Sequence, residues 1–381
     1  MRIKDLMNKN TLALVVVVSL IIASIIYLEG QKAGPVNIGD GIASEQGGQE
    51  VSEAAEPDLK DGKYPKAPEL AGIVGYINTE EGLKISDLKG KVVLVDFWTY
   101  TCINCIRTFP HLTEWYKRYK DMGFVIIGVH SPEFGFEKLY GNVKAATEKY
   151  GIEYPVVQDN NFATWQAYKN RFWPHKYLID ADGYIRYDHI GEGAYAETER
   201  RIQELLEEIN MDVSDMGLSR VPDKTPYALI TPELYAGYGF ALPRGKDIGN
   251  PEGLVKDEIV DYKAPDQIKK DTIYLDGSWK SSIDNLEAVD SGASVILYFI
   301  ANSVNIVADN LGNPLKLEVY IDNKYVDEMQ AGEDVIFEDN KSIIIVDEPR
   351  LYNVFDGMFG RHTLQLTANE TGFSFNAFTF G

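Results

Sequence analysis

The chain has 381 residues, more than one ordinary domain needs, and suits two domains with additional segments. Its formal net charge of −21 excludes a nucleic-acid binder, because phosphate recognition needs clustered Lys and Arg, and reads instead as the solubility charge of an exposed protein. Apolar residues make up 45%, enough for a sizeable core, and the two cysteines, Cys102 and Cys105, stand in one motif with no thiol elsewhere.

Arg2, Lys4 and Lys9 precede an uncharged run from Thr11 to Leu28. The run is long enough to cross a bilayer as a helix, and its basic flank predicts a cytoplasmic N-terminus with everything else outside. A cleaved signal peptide would show a shorter apolar core followed by small residues, whereas Ala23 and Ser24 lie inside the run. Residues 1–28 are therefore expected to form an uncleaved, single-pass membrane anchor. Residues 29–65 are rich in Gly, Glu, Ala and Ser and lack apolar periodicity. They read as a flexible linker with an r.m.s. span of roughly 30 Å.

Residues 66–212 alternate strand and helix signals, the pattern of an α/β domain with a mixed sheet. Val92 to Trp98 is a buried-strand run, followed by a polar turn that holds both cysteines and an amphipathic stretch to about Lys120. Phe124 to Val129 is a second buried strand, a helix is expected from about Glu137 to Tyr150, and a short strand from Tyr154 to Val157. Lys176 to Asp180 and Tyr184 to Tyr187 flank Ala181-Asp182-Gly183, a hairpin signal. A last helix carries Ile202, Leu205, Leu206 and Ile209 on one face. Residues 213–265 contain several prolines and read as a connector. Beyond them the pattern is strands alone, including Leu315 to Ile321, Ser342 to Val346, His362 to Leu366 and Phe373 to Phe380. Residues 266–381 are thus expected to be an all-β, jelly-roll-like sandwich that folds independently and contributes docking rather than chemistry.

Cys102-Ile103-Asn104-Cys105 follows a buried strand directly and opens a helix. Free N–H groups and the helix dipole at that position favour a thiolate on Cys102, the attacking species in disulfide exchange. Cys105, one turn on, is placed to attack the resulting mixed disulfide. A structural zinc site wants four ligands, and there is no second cysteine pair or histidine ligand spacing; a static disulfide across so short a loop adds little constraint. No metal or cofactor is expected. Asp96 ends the strand that feeds the motif; flanked by Val95 and Phe97 it reads as buried, with a raised pKa suited to accepting the Cys105 proton. Its alternative is an exposed strand-end carboxylate. Pro110 falls inside the helix, and Phe172-Trp173-Pro174 precedes a strand, where a cis proline would face the cysteines. Trp98, Trp173 and Pro174 are the expected substrate contacts.

The stretch from Val93 to Arg107, with Pro174 downstream, resembles a thioredoxin domain of the TlpA-like branch. Phe97 to Cys105, His130 to Phe134 and Trp173 to Asp180 resemble the DipZ family more narrowly, and the similarity continues through Thr231 to Tyr235 and Phe378 to Gly381. The resemblance implies a thioredoxin-like fold with Cys102 as nucleophile, Cys105 as resolving thiol, Asp96 as proton acceptor and Pro174 as the cis proline. DipZ-like proteins typically carry a multi-span CcdA- or DsbD-like domain ahead of this region, where a single span is expected here. Electrons are therefore expected from a separate CcdA- or DsbD-like membrane donor, and the substrates are expected to be exported proteins with cysteines. Glu133 and Glu137 occupy the place of an acidic pair in that family; proton transfer by Glu133 and a solvated loop carboxylate both remain open.

The β-rich tail resembles a carbohydrate-binding-module-like domain. Trp279, Tyr262 and Tyr298 are its candidates for stacking on a carbohydrate, against the ordinary role of aromatics as sandwich core, and fold resemblance alone does not establish sugar binding. The leading expectation is a disulfide reductase or exchanger. A thiol peroxidase of the same fold is an alternative, with Thr99 three residues before Cys102 but Val95 replacing that motif's proline. A surface sugar-binding protein with a secondary redox domain is another.

Overall fold

The computed structural model describes residues 58–381. The expected anchor, residues 1–28, and the linker as far as residue 57 lie outside the described residues. Among the described residues no helix is long and apolar enough to cross a membrane.

A two-stranded ladder, β1 (Leu59–Lys60) and β2 (Tyr64–Pro65), leads into a six-stranded sheet. That sheet contains β3 (Gly75–Ile77), β4 (Val92–Trp98), β5 (Phe124–His130), β6 (Val156–Gln158), β7 (His175–Ile179) and β8 (Ile185–Ile190), in the spatial order β3-β6-β5-β4-β7-β8. β4 runs parallel to β5 and antiparallel to β7, so the sheet is mixed. Four helices belong to this domain: α1 (Ile103–Tyr119), α2 (Tyr140–Lys149), α3 (Ala163–Ala167) and α4 (Tyr195–Glu208).

β4 is buried over its whole length, as expected of a central strand covered on both faces. Its alternation sorts the side chains. Val93, Val95 and Phe97 join Ile127 and Val129 in one apolar cluster. Val92, Leu94 and Trp98 join Cys105, Phe109 and Leu112 of α1 in another. Asp96 shares the second parity, so its carboxylate points toward the cysteine-bearing helix. In α1, Cys105, Phe109, Leu112, Trp115 and Tyr119 recur at three- and four-residue steps and form its buried stripe.

The β domain comprises β9 (Leu234–Tyr235), a short helix α5 (Tyr238–Ala241), β10 (Ile259–Tyr262), β11 (Ile273–Ser281), β12 (Leu286–Ala288), β13 (Ser294–Asn310), β14 (Leu315–Ile321), β15 (Lys324–Tyr325), β16 (Ile336–Glu338), β17 (Lys341–Val346), β18 (Arg350–Ala368) and β19 (Phe373–Phe380). All its ladders are antiparallel and connect into one sheet, ordered β10-β11-β12-β19-β13-β18-β14-β17-β16, with β15 on β14 and β9 on β19. β11 also pairs with β13, which closes a ring of β11, β12, β19 and β13. β13 and β18 run through both halves, and register shifts after Ala301 and Val304 interrupt their ladder where such irregularities bend a strand. In place of two separate facing sheets there is one sheet wrapped around a single core, with Trp279, Phe299, Phe355 and Phe375 fully buried.

One expectation is corrected here. Residues 213–265 are not a passive connector, because β9 pairs with β19 and β10 with β11. Strands of two and four residues carry too little alternation to be read from sequence. Of the aromatic candidates for sugar stacking, Trp279 and Tyr262 take the ordinary place of aromatics in the core and have no ring face to offer. Of the three, Tyr298 alone keeps partial exposure.

The two domains share an apolar contact. Phe134, from the turn after β5, is buried with Val307 and Ala377 of the β domain, flanked by Phe136 and Tyr235.

Candidate active site

Cys102 is the N-cap of α1: its backbone is extended, and its sulfur accepts the N–H of Cys105 at 3.3 Å. This uses one of the free donors that every helix start leaves. Cys102 is half-buried, whereas Cys105 is fully buried in the α1–sheet core, and both are thiols. Burial pushes the Cys105 thiol well above its ordinary value, and the neighbouring Cys102 and Asp96 push in the same direction. A resolving thiol in that condition needs a nearby base to release its proton.

Asp96 is fully buried, and neither carboxylate oxygen has a hydrogen-bond partner. Desolvation pushes its pKa up to about 7, opposed by the charge of Lys176. Lys176 is the register partner of Asp96 on β7 and is itself fully buried, which lowers its pKa. Its ammonium donates to the Gly191 carbonyl at 2.8 Å. On the other side of Asp96 the register partner is Gly128 of β5, where an added Cβ would meet Trp98 Nε1 at 2.8 Å and the Tyr154 ring at 3.2 Å. Glycine is what allows these two large aromatics to approach β5 at the position beside Asp96.

The Trp173–Pro174 peptide bond is cis. The Pro174 carbonyl accepts the N–H of Gly191 at 2.8 Å, and the Trp173 indole N–H donates to the Ser131 carbonyl at 3.1 Å. Trp173 and Cys102 border the same apolar cluster. Gly191 thus binds both Pro174 and Lys176, and the next residue, Glu192, takes Arg107 of α1 in a two-pronged ion pair at 2.7 and 2.9 Å. The Arg107 guanidinium also reaches the Phe380 carbonyl of β19 at 3.4 Å and Asn104 Oδ1 at 2.8 Å. One arginine, a turn past the cysteines, joins the active-site helix, the Gly191 turn and the β domain.

The loop before Cys102 is tied to the turn after β5. Thr101 donates to Glu137 Oε1 at 2.6 Å, and Glu137 Oε2 accepts the backbone N–H groups of Glu133 and Phe134. Burial raises the Glu137 pKa, and these donors oppose the rise. Glu133 accepts the hydroxyl proton of Tyr235, from β9, at 2.7 Å. The expected acidic pair therefore has two separate contacts: Glu137 braces the loop, and Glu133 meets the β domain. The Thr99 hydroxyl lies 3.4 Å from His130 Nε2. His130 is fully buried, and desolvation lowers its pKa to about 3, which keeps the imidazole neutral.

With this geometry in place the chain can be set beside known proteins. Residues 66–188 match the AhpC/TSA family, and residues 231–381 match the family described as Thioredoxin like C-terminal domain. Thiol-disulfide oxidoreductase ResA of Halalkalibacterium halodurans is 32% identical over 127 residues, 33% of this chain and 67% of ResA. The chain belongs to the thioredoxin-like family of thiol–disulfide oxidoreductases. Protein DipZ of Mycobacterium tuberculosis, and likewise that of Mycobacterium bovis, is 40% identical over 250 residues, covering 65% of this chain and 35% of the relative. The chain thus spans about a third of the length of its DipZ relatives.

Within the thioredoxin-like domain, Cys102, Cys105 and Asp96 converge on the α1 side of β4, and Trp173 borders the same cluster, with Pro174 next to it in the chain. Trp98 does not join them as a substrate contact. It is fully buried, edge-on to Phe109 at 5.1 Å and to His130 at 4.9 Å, because strand parity directs it under α1. Four residues that complete the site escaped sequence reasoning: Lys176, Arg107, Glu192 and Tyr235. Only Lys176 left a signal, as a lone cation inside the apolar strand His175-Lys-Tyr-Leu-Ile179.

Proposed function

We propose that the protein is a membrane-anchored disulfide reductase acting outside the cytoplasm on exported proteins, with Cys102 and Cys105 as its redox pair. One arrangement carries this reading: a half-buried sulfur bonded at a helix start, followed one turn later by a fully buried thiol that shares its core with a buried carboxyl. The Cys102 thiolate attacks one sulfur of a substrate disulfide, forms a mixed disulfide and expels the other sulfur as a thiolate. Cys105 then passes its proton to Asp96 and attacks the Cys102 sulfur. The Cys102–Cys105 disulfide forms and the second substrate sulfur leaves, so two electrons have moved from protein to substrate. A dithiol donor, for which a separate CcdA- or DsbD-like membrane protein is the proposed source, restores both thiols by the reverse exchange.

The basic flank and the uncharged run from Thr11 to Leu28 support the anchor and the outward orientation. The name borne by ResA supports exchange chemistry. Two measurements test the reading. Dithiothreitol-driven reduction of insulin should be accelerated by the protein and abolished by Cys102→Ser; absence of any acceleration by the wild type overturns the activity. Protease added to spheroplasts should digest the large domains, and full protection overturns the topology.

A further inference from the structure

Between the two domains the chain crosses in front of Cys102 as a strap. It is fixed at its β-domain end. At the other end Thr225 donates its N–H to Asp223 Oδ1, two residues back in the same segment, at 2.9 Å. Thr231 donates its N–H to the Ile300 carbonyl at 2.8 Å, accepts the Ile300 N–H on its hydroxyl at 2.8 Å, and donates that hydroxyl to Asp271 at 2.6 Å. Between Thr225 and Thr231, among the described residues, no backbone N–H or C=O of Pro226 to Ile230 has a backbone partner.

Thr225, Pro226, Ala228 and the run from Ile230 to Glu233 line a cleft of about 290 Å³ whose other wall includes Cys102 and Arg107. Tyr227 and Leu229 project the opposite way, 92% and 97% exposed. The strap bends at Ala228, and its unpaired N–H and C=O groups are a template for the main chain of a bound polypeptide. The cleft also contains the sulfur that must meet a substrate disulfide, which decides what the template is for.

We infer that residues 226–232 form one edge of a substrate slot, and that its occupant is an extended, locally unfolded polypeptide. This segment pairs its main chain with the strap while its disulfide sulfur meets Cys102. The inference rests on the exchange activity proposed above and names its substrate class. A small disulfide reaches the Cys102 sulfur without using the strap; a polypeptide gains main-chain hydrogen bonds from it, and Pro226, Ile230 and Pro232 offer apolar surface to its side chains.

The test compares two oxidants of the full-length, reduced protein: a denatured protein with its disulfides intact, and oxidised glutathione. Ala228→Pro removes one strap N–H, and Ala228→Trp places bulk in the cleft. Ala228 is exposed in both senses that matter for folding, away from the core and outside regular structure. In each variant the ratio of the polypeptide rate to the glutathione rate should fall about tenfold, the equivalent of one or two main-chain hydrogen bonds. A ratio unchanged in both variants, with an active wild type, overturns the strap as a substrate edge and leaves the exchange activity standing. A wild type oxidised by neither reagent overturns both.

Discussion

Asp96 of β4 and Lys176 of β7 face each other as register partners, and neither exposes any surface. Burial pushes the Asp96 carboxyl from 3.8 to about 7, so the folded chain holds this proton more tightly than the unfolded chain. Its contribution to stability is fully present below about pH 4 and is lost as pH rises through about 7. Asp96→Asn removes that loss. Relative to wild type, the variant should gain stability between pH 4 and pH 8, by on the order of 3 kcal/mol. Urea midpoints at the two pH values measure the difference; a gap that does not widen with pH refutes a buried, titrating Asp96.

Lys176 supplies the charge that restrains Asp96. Lys176→Met should therefore move the Asp96 titration further up. The low-pH limb of the resolution step, in which Asp96 must be ionised to take the Cys105 proton, should shift upward by about one pH unit. Rapid-quench measurement of mixed-disulfide decay against pH reads this directly. A lysine with a purely structural role would lower the amount of folded protein without displacing the limb.

The parts of this site that were legible in the sequence are local in the chain. The apolar run of β4, the turn into α1 and the cysteine spacing are all read within about fifteen residues, and Asp96 could be placed in the strand that feeds the motif, although β4 runs on past it to Trp98. What lies across the sheet from Asp96 could not be read, because register is fixed by packing rather than by composition. Trp98 shows the same limit from the other side: its place beside the cysteines suggests a surface contact, but one step of strand parity puts it in the core. Arg107 meets Glu192 and Phe380, and Tyr235 meets Glu133, through separations of up to 273 residues, and no pattern in one segment announces the others. β9 and β10 were missed for want of length, although they extend the β domain back to the strap that borders Cys102.

Arg107 and Glu192 have nearly buried side chains in a two-pronged pair. Removing either partner leaves the other charge short of compensation. Arg107→Ala and Glu192→Ala should each destabilise the chain by about 2–3 kcal/mol, and the double variant should cost clearly less than the sum. A double-mutant cycle on urea midpoints gives the coupling. Strict additivity contradicts the pairing.

Phe134 makes the β domain part of the thioredoxin-like domain's packing rather than an independent appendage. Phe134→Ala removes a large buried side chain from this contact and should cost about 3 kcal/mol. Because the loss falls between domains, the single unfolding transition should divide in two, and proteolysis within residues 225–230 should accelerate. A variant that keeps one transition and wild-type cleavage would show that the contact does not couple the domains.

The two sulfurs differ in access by position alone. Cys102 stands outside the first turn of α1 and is half-buried, whereas Cys105 is enclosed among Phe109, Leu112 and the residues of β4. Burial also holds the Cys105 proton in place until a base removes it. Iodoacetamide at mildly acidic pH should therefore label Cys102 at least about tenfold faster than Cys105 in the reduced protein, since only a thiolate with access reacts. Cys105→Ser keeps the attacking sulfur and removes resolution, so mixed disulfides with substrates should accumulate on Cys102. Cys102→Ser leaves a sulfur that substrates cannot reach and should trap nothing. Asp96→Asn should slow decay of the mixed disulfide more than its formation, because the carboxyl acts on the Cys105 proton and not on the first attack. Peptide mapping after alkylation and gel analysis of trapped complexes separate these outcomes. Faster labelling of Cys105, or trapping by Cys102→Ser alone, reverses the assignment of nucleophile and resolving thiol.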